Sequence, residues 1–187
     1  WHGKGVAVDL NYSTNGYAAS RTMLAMGAPH YGGEAANLSI SIRRPAVEAC
    51  DRACFALDGK PADLSARKHG ESTGAAWDRW HRVSEAVRLR FAPYYSPANE
   101  LDTGDDPVLT GVSVPGDVAA DYDAIRLPLV VGAPSLHPRT TRNPARGLMD
   151  LPRHVVVALC DVGGMRWGAV DFGPDESGDI MHFDAPR

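Results

Sequence analysis

Between Ala75 and Phe91 the large apolar residues fall at Trp77, Trp80, Val83, Val87 and Phe91, with Ser84 beside Val83. Steps of three and four predict an amphipathic helix with one apolar stripe, stopped by Pro93. Both tryptophans are expected as core anchors, ahead of a sugar-stacking surface, and His81 as a surface or cap residue. A second helical pattern runs through Val47, Cys50, Cys54 and Leu57. It opens at Arg44-Pro45, where proline suits a first turn, and closes at Gly59. Further helices are predicted from Tyr17 to Met26, before Gly27-Ala28-Pro29, and from Asp150-Leu151-Pro152 to Gly163-Gly164, with Val155, Val156 and Leu159 facing inward. Residues 4–10, Met165 to Val170 and Ile180 to Asp184 are predicted strands, the last two separated by a turn over Phe172 to Gly178. Residues 28–37 and 59–73 carry loop composition. Residues 92–146 are rich in Pro, Gly, Asp and Thr and form a loop-rich insertion, in which Val108-Leu109 and Leu127 to Val131 are strands or extended loop. Either a lid with a specificity role or a plain surface excursion fits it. A few helices flanking a small, mostly antiparallel sheet make an α+β domain.

Composition narrows the class. At 187 residues the chain is expected to be one domain, 1–187, with a sizeable core. A net charge of −4 gives no basic footprint for nucleic acid or an anionic membrane. No apolar run approaches the ~20 residues of a membrane span. The sequence begins at Trp1, without initiator Met or signal-peptide pattern, and is expected to be a mature form or an excised domain. Three cysteines, Cys50, Cys54 and Cys160, do not make a disulfide framework, though one bridge stays open. Cys50 and Cys54, one helical turn apart, are expected as small buried thiols ahead of a zinc pair. There is no Gly-x-Ser-x-Gly elbow, no cysteine in a nucleophile motif and no phosphate-cradling glycine loop. Asp102, Asp105 and Asp106 do not have the spacing of a twelve-residue calcium loop.

The chemistry concentrates at the two ends. His2 is followed by Asp9 in a strand-like context, and Asp179 precedes His182 by three residues. Two histidines with nearby carboxylates are the parts of an open zinc site, which takes three protein ligands and keeps a position for water. Asp179 and His182 share a side only if a turn intervenes, since an extended chain would point them to opposite faces. His30, His69, His81, His137 and His154 have no motif context, and surface or capping roles suffice for them.

His2-x-x-Gly5-x-Ala7-x-Asp9-Leu10 resembles the first zinc motif of the D-alanyl-D-alanine carboxypeptidase / L-alanyl-D-glutamate endopeptidase family, the M15-type zinc peptidases. Arg166-Trp167-Gly168-Ala169-Val170-Asp171-Phe172, followed by Gly178-Asp179-Ile180-Met181-His182-Phe183-Asp184, resembles the Trp-Gly-Gly…Asp-x-Met-His-Phe ending of its endopeptidase branch. Gly16 stands where the family commonly has proline, and Asp179 where many members have Glu. The resemblance implies a D-Ala-D-Ala peptidase-like zinc fold with a long middle insertion. It implies Zn²⁺ held by His2, Asp9 and His182, with Asp179 as general base and then acid to the leaving amine. Asp171 would orient a ligand histidine. Trp167 would pack against the active-site strand and border bound substrate, and Arg21 would anchor a substrate carboxylate. The implied substrates are peptidoglycan stem peptides, cut by an endopeptidase or D,D-carboxypeptidase that is exported and extracellular or cell-wall associated. The competing expectation is a non-catalytic zinc-containing binding or toxin-accessory domain.

Overall fold

The structure, a computed structural model, describes residues 7–10, 34–95, 109, 113–131, 143–172 and 178–186. Four α-helices and a three-stranded antiparallel sheet are found among them. In chain order they are β1 (Ala7–Asp9), α1 (Glu34–Asp58), α2 (Thr73–Phe91), α3 (Gly116–Val131), α4 (Arg153–Val157), β2 (Arg166–Trp167) and β3 (His182–Asp184). The α+β expectation therefore holds. The helix predicted over Tyr17 to Met26, and Asp102, Asp105 and Asp106, lie outside the described residues.

Helix α2 begins where Ser72 Oγ accepts a hydrogen bond from the Ala75 N–H, and Arg88 and Arg90 sit in its last turn, favourable toward the helix dipole. Its buried face includes Trp80, Val83, Ser84, Val87 and Phe91. Trp80 is 1% exposed. Trp77 is only half-buried: it donates to the Leu151 carbonyl at 2.8 Å and stacks on exposed His81 at 4.4 Å. The stripe's two tryptophans are thus unequal. Trp80→Ala is expected to cost about 3–5 kcal/mol, and Trp77→Ala distinctly less, measured as denaturation midpoints. Equal losses would contradict the packing.

Helix α1 corrects the expected start at Arg44-Pro45. It begins at Glu34, runs through Pro45 and closes before Gly59, which takes a φ of +75°. Proline's preference for a first turn marks a start only where nothing precedes it. Inside a helix its missing N–H and ring cost the helix about 3 kcal/mol, against which α1 packs along both α2 and α3. Cys50 and Cys54 lie on its buried face as expected.

Helix α3 is the second correction, because Leu127 to Val131 is helical rather than strand or extended loop. Its buried positions, Val118, Asp121, Tyr122 and Ile125, follow helical spacing. Asp121 is 2% exposed yet paired: Arg52 of α1 reaches its Oδ1 and Arg90 of α2 its Oδ2, clamping three helices on one carboxylate. The turn at Pro144–Arg146 docks on α2 through Ser84, whose buried Oγ accepts from the Leu148 and Met149 N–H groups. Helix α4 continues into a π-turn over Ala158–Val162 and ends at Gly163-Gly164, the predicted stop.

In the sheet β3 lies between β1 and β2. Asp9 pairs with His182, Val8 with Phe183 and Ala7 with Asp184; on the other side Trp167 pairs with Phe183 and Arg166 with Asp184. Paired residues share a face and neighbours alternate. Phe183, Trp167 and Val8 therefore face the helices, while His182, Asp9, Asp184 and Arg166 belong to the opposite face. An aromatic column fixes the inner one: Trp80 of α2 meets Trp167 at 6.4 Å, and Trp167 stacks on Phe183 at 6.4 Å with planes 10° apart. β2 is shorter than expected, since Gly168 to Val170 turn back with the Val170 and Asp171 N–H groups bonded to the Trp167 carbonyl.

Candidate functional site

The outer face of this sheet joins the two ends of the chain. Antiparallel register sets Asp9 beside His182, and His182 Nδ1 lies 2.8 Å from Asp9 Oδ1. The ladder continues one step further, with Leu10 N–H donating to the Met181 carbonyl at 2.9 Å. Ile180 and Met181 bend between Asp179 and His182, as the spacing required. Ile180 is fully buried, and its carbonyl accepts from Trp167 Nε1 at 2.8 Å, which anchors the bend in the core.

Gly168 is the floor under this bend. Its N–H donates to the His182 carbonyl at 2.7 Å, and its own carbonyl accepts from the Gly178 and Asp179 N–H groups at 3.0 and 3.3 Å. A Cβ at residue 168 would stand 2.6 Å from the Asp179 carbonyl oxygen and 3.1 Å from both the Asp179 Cβ and the His182 carbonyl oxygen. Glycine is required there by close approach, not by an unusual φ. The same residue thereby sets the positions of both Asp179 and His182.

The electrostatics favour cations. The hydrogen bond that Asp9 accepts from His182 raises the His182 pKa above the ordinary histidine value; burial opposes it, and the charges of Asp179, Asp9 and Asp184 add to the rise. Asp9 and Asp179 bring negative charge to this imidazole, whereas the charge of Asp184 is matched by Arg166. The site's donors, an imidazole nitrogen and a carboxylate oxygen, are types that zinc accepts, with bonds of about 2.0–2.2 Å. At 2.8 Å apart, His182 Nδ1 and Asp9 Oδ1 need only a small separation to become co-ligands of one ion. Among the described residues no group of three or more His, Cys, Asp or Glu converges for a metal. His2 lies outside the described residues, as does Arg21.

Two expected roles change. Asp171 spends its carboxylate on Arg67, a two-point pair at 2.5 and 2.9 Å, and on the Trp167 N–H at 2.9 Å, rather than on a histidine. It ties the turn after β2 to the 59–72 loop. Trp167 has no exposed surface to offer a ligand, and it packs on Phe183 of β3. Cys160 is half-buried, and burial together with Asp171 pushes its thiol up to about 12, far from a nucleophile's range. His69, His81 and His154 are exposed, in keeping with surface roles.

The site also holds residues that motif spacing did not single out. Arg166 makes a two-point ion pair with Asp184 at 3.0 and 2.7 Å and lies 5.0 Å over the Phe172 ring. Phe172 in turn meets the His182 ring edge to face at 5.1 Å. Their signal was a strand pairing, visible only once β2 is set beside β3.

Comparison with protein-family models, curated proteins and solved structures finds no match to this chain. No helix among the described residues is long and apolar enough to cross a membrane.

Proposed function

We propose that the chain is a zinc-dependent peptidase acting on peptide bonds of peptidoglycan stem peptides, as an exported or cell-wall-associated enzyme. The observation that carries this reading is the Asp9–His182 pair: residues 173 positions apart meet in register on one sheet face, beside Asp179. Asp9 and His182 would hold the ion together with His2. Zinc, when bound, supplies Lewis acidity toward the scissile carbonyl and lowers the pKa of water. Asp179, on the bend held by Gly168, would take the proton of the attacking water and return it to the departing amine. In support, the bend keeps the charge of Asp179 in reach of His182, whose pKa it helps to raise.

The test is mass spectrometry of muropeptides digested by the purified chain, with and without a chelator. Chelator-sensitive release of peptide fragments is expected; no cleavage under either condition overturns the peptidase. Gly168→Ala should lower turnover about a hundredfold, since displacing a reacting group by about 1 Å has that effect, while far-UV circular dichroism keeps its native shape. Full turnover in that variant would show that the close approach does not position Asp179.

One observation favours a second reading, a non-catalytic binding domain. Asp9 and His182 already satisfy one another as a hydrogen-bonded pair, and only two donors converge among the described residues. Zinc bound without cleavage of any stem peptide would favour it.

A further inference from the structure

We infer that Phe172, braced by the Arg166–Asp184 pair, is a positioning residue for the His182 imidazole and through it for the metal. The inference rests on the zinc reading above and assigns a role outside the ligand set. An imidazole has a broad torsion about its Cβ–Cγ bond, and a half-turn would present a ring carbon to Asp9 in place of Nδ1. The hydrogen bond to Asp9 opposes that turn, but it is the contact given up when both atoms become ligands of one ion. An ion bound at Nδ1 would itself fix the ring, so a second contact matters for holding the ring plane before and while the ion enters. Phe172 lies 5.1 Å from the His182 ring with planes 75° apart, a favourable aromatic geometry.

Phe172 is itself half-buried and needs a brace. The Arg166 guanidinium covers its ring at 5.0 Å. Arg166 is fixed in turn by its two-point pair with Asp184, its cross-strand neighbour in register. Asp184 is 4% exposed, so this pair sits in a partly dry environment where its geometry is well determined. The pairing also solves an electrostatic problem. A bare guanidinium this close would repel a divalent cation; one neutralised by Asp184 supplies packing without that penalty. Asp184, Arg166, Phe172 and His182 thus form one chain of contacts from the strand pair to the proposed ligand.

The experiment is zinc competition against a chromophoric chelator, using the full chain, with thermal melts of each variant. Phe172→Leu keeps apolar bulk and removes the ring. It is expected to weaken zinc binding about tenfold, the low end for losing a group that orients a ligand, with little change in melting. Phe172→Tyr keeps the ring and is expected to restore binding to near wild type. Phe172→Met, a second ringless side chain, replaces the Leu variant should that one melt early. Wild-type affinity in the ringless variants, or equal weakening in Phe172→Tyr, overturns the inference and leaves the zinc reading standing. A wild-type chain that binds no zinc, or His182→Ala binding as tightly as wild type, overturns the zinc reading itself and this inference with it.

Discussion

Asp179→Asn is expected to lower hydrolysis of stem peptides roughly a hundredfold to ten-thousandfold, the usual worth of general acid–base assistance, while zinc remains bound. Asn is nearly isosteric with Asp but cannot accept the proton of the attacking water. The backbone around residue 179 should be unaffected, because what holds it is the Gly168 carbonyl bonded to the Asp179 N–H and the buried Ile180 that follows. Loss of a side-chain charge also leaves the Asp9–His182 pairing of β1 with β3 in place. The variant therefore separates two roles that a wider replacement would mix. Retained zinc with lost turnover assigns Asp179 to proton transfer. Lost zinc would make it a ligand, and unchanged turnover would leave it a turn residue with the base elsewhere. Elemental analysis and muropeptide mass spectrometry on the same preparation distinguish the three.

Legibility followed the physics of each element. Helix α2 was plain because its apolar spacing, Ser72 cap and Pro93 stop all agree. Helix α3 was hidden by the Pro-, Gly-, Asp- and Thr-rich composition around it, and an electrostatic feature masks its stripe as well. Its stripe of Val118, Asp121, Tyr122 and Ile125 has the right period, but Asp121 occupies a core position, where a charge argues against burial. Only Arg52 and Arg90, distant in sequence, make that charge affordable there. Helix α1 was half legible, since Pro45 carries the same local signal whether it opens a helix or interrupts one. In the site, Asp9, Asp179 and His182 could be named because they are ligand-type residues in motif context. Phe172 could not, for a phenylalanine has no chemistry of its own until its neighbour is known. The assignment of Asp171 to a histidine failed because Arg67, which takes that carboxylate, sits in a loop whose composition announces only charge.

In that loop a stability effect as large as that of Trp80→Ala is expected. Arg79 of α2 is 10% exposed and reaches back across residues 59–72: its guanidinium donates to both Glu71 carboxylate oxygens at 2.9 and 2.8 Å, to the Asp63 and Ser65 carbonyls, and to the Asp63 carboxylate. Arg79→Met removes every one of these donors and keeps the apolar stem. Glu71, itself 10% exposed, would be left without its guanidinium partner. Breaking a buried pair in this one-sided way costs about 3–5 kcal/mol, on the order of 10 °C in Tm for a chain of this size. The loss should carry acid dependence with it. Hydrogen bonding from Arg79 holds the Glu71 carboxyl below its ordinary value. Burial pushes Asp63 up, but Lys68, Ser65 and the Arg79 charge outweigh it and bring that carboxyl down to about 2. Both groups bind protons more weakly folded than unfolded, so their contribution is complete above the ordinary carboxylate range and fades as pH falls toward about 2. The wild-type Tm should therefore drop more steeply over that acid range than the variant's; parallel curves would show that Arg79 is not what holds these carboxylates charged. A second consequence reaches the site. The loop also carries Arg67, whose grip on Asp171 sets the turn after Trp167, and that turn presents Gly168 beneath Asp179 and His182. Turnover in Arg79→Met should accordingly fall at temperatures where the variant is still folded, which a loop serving stability alone would not produce.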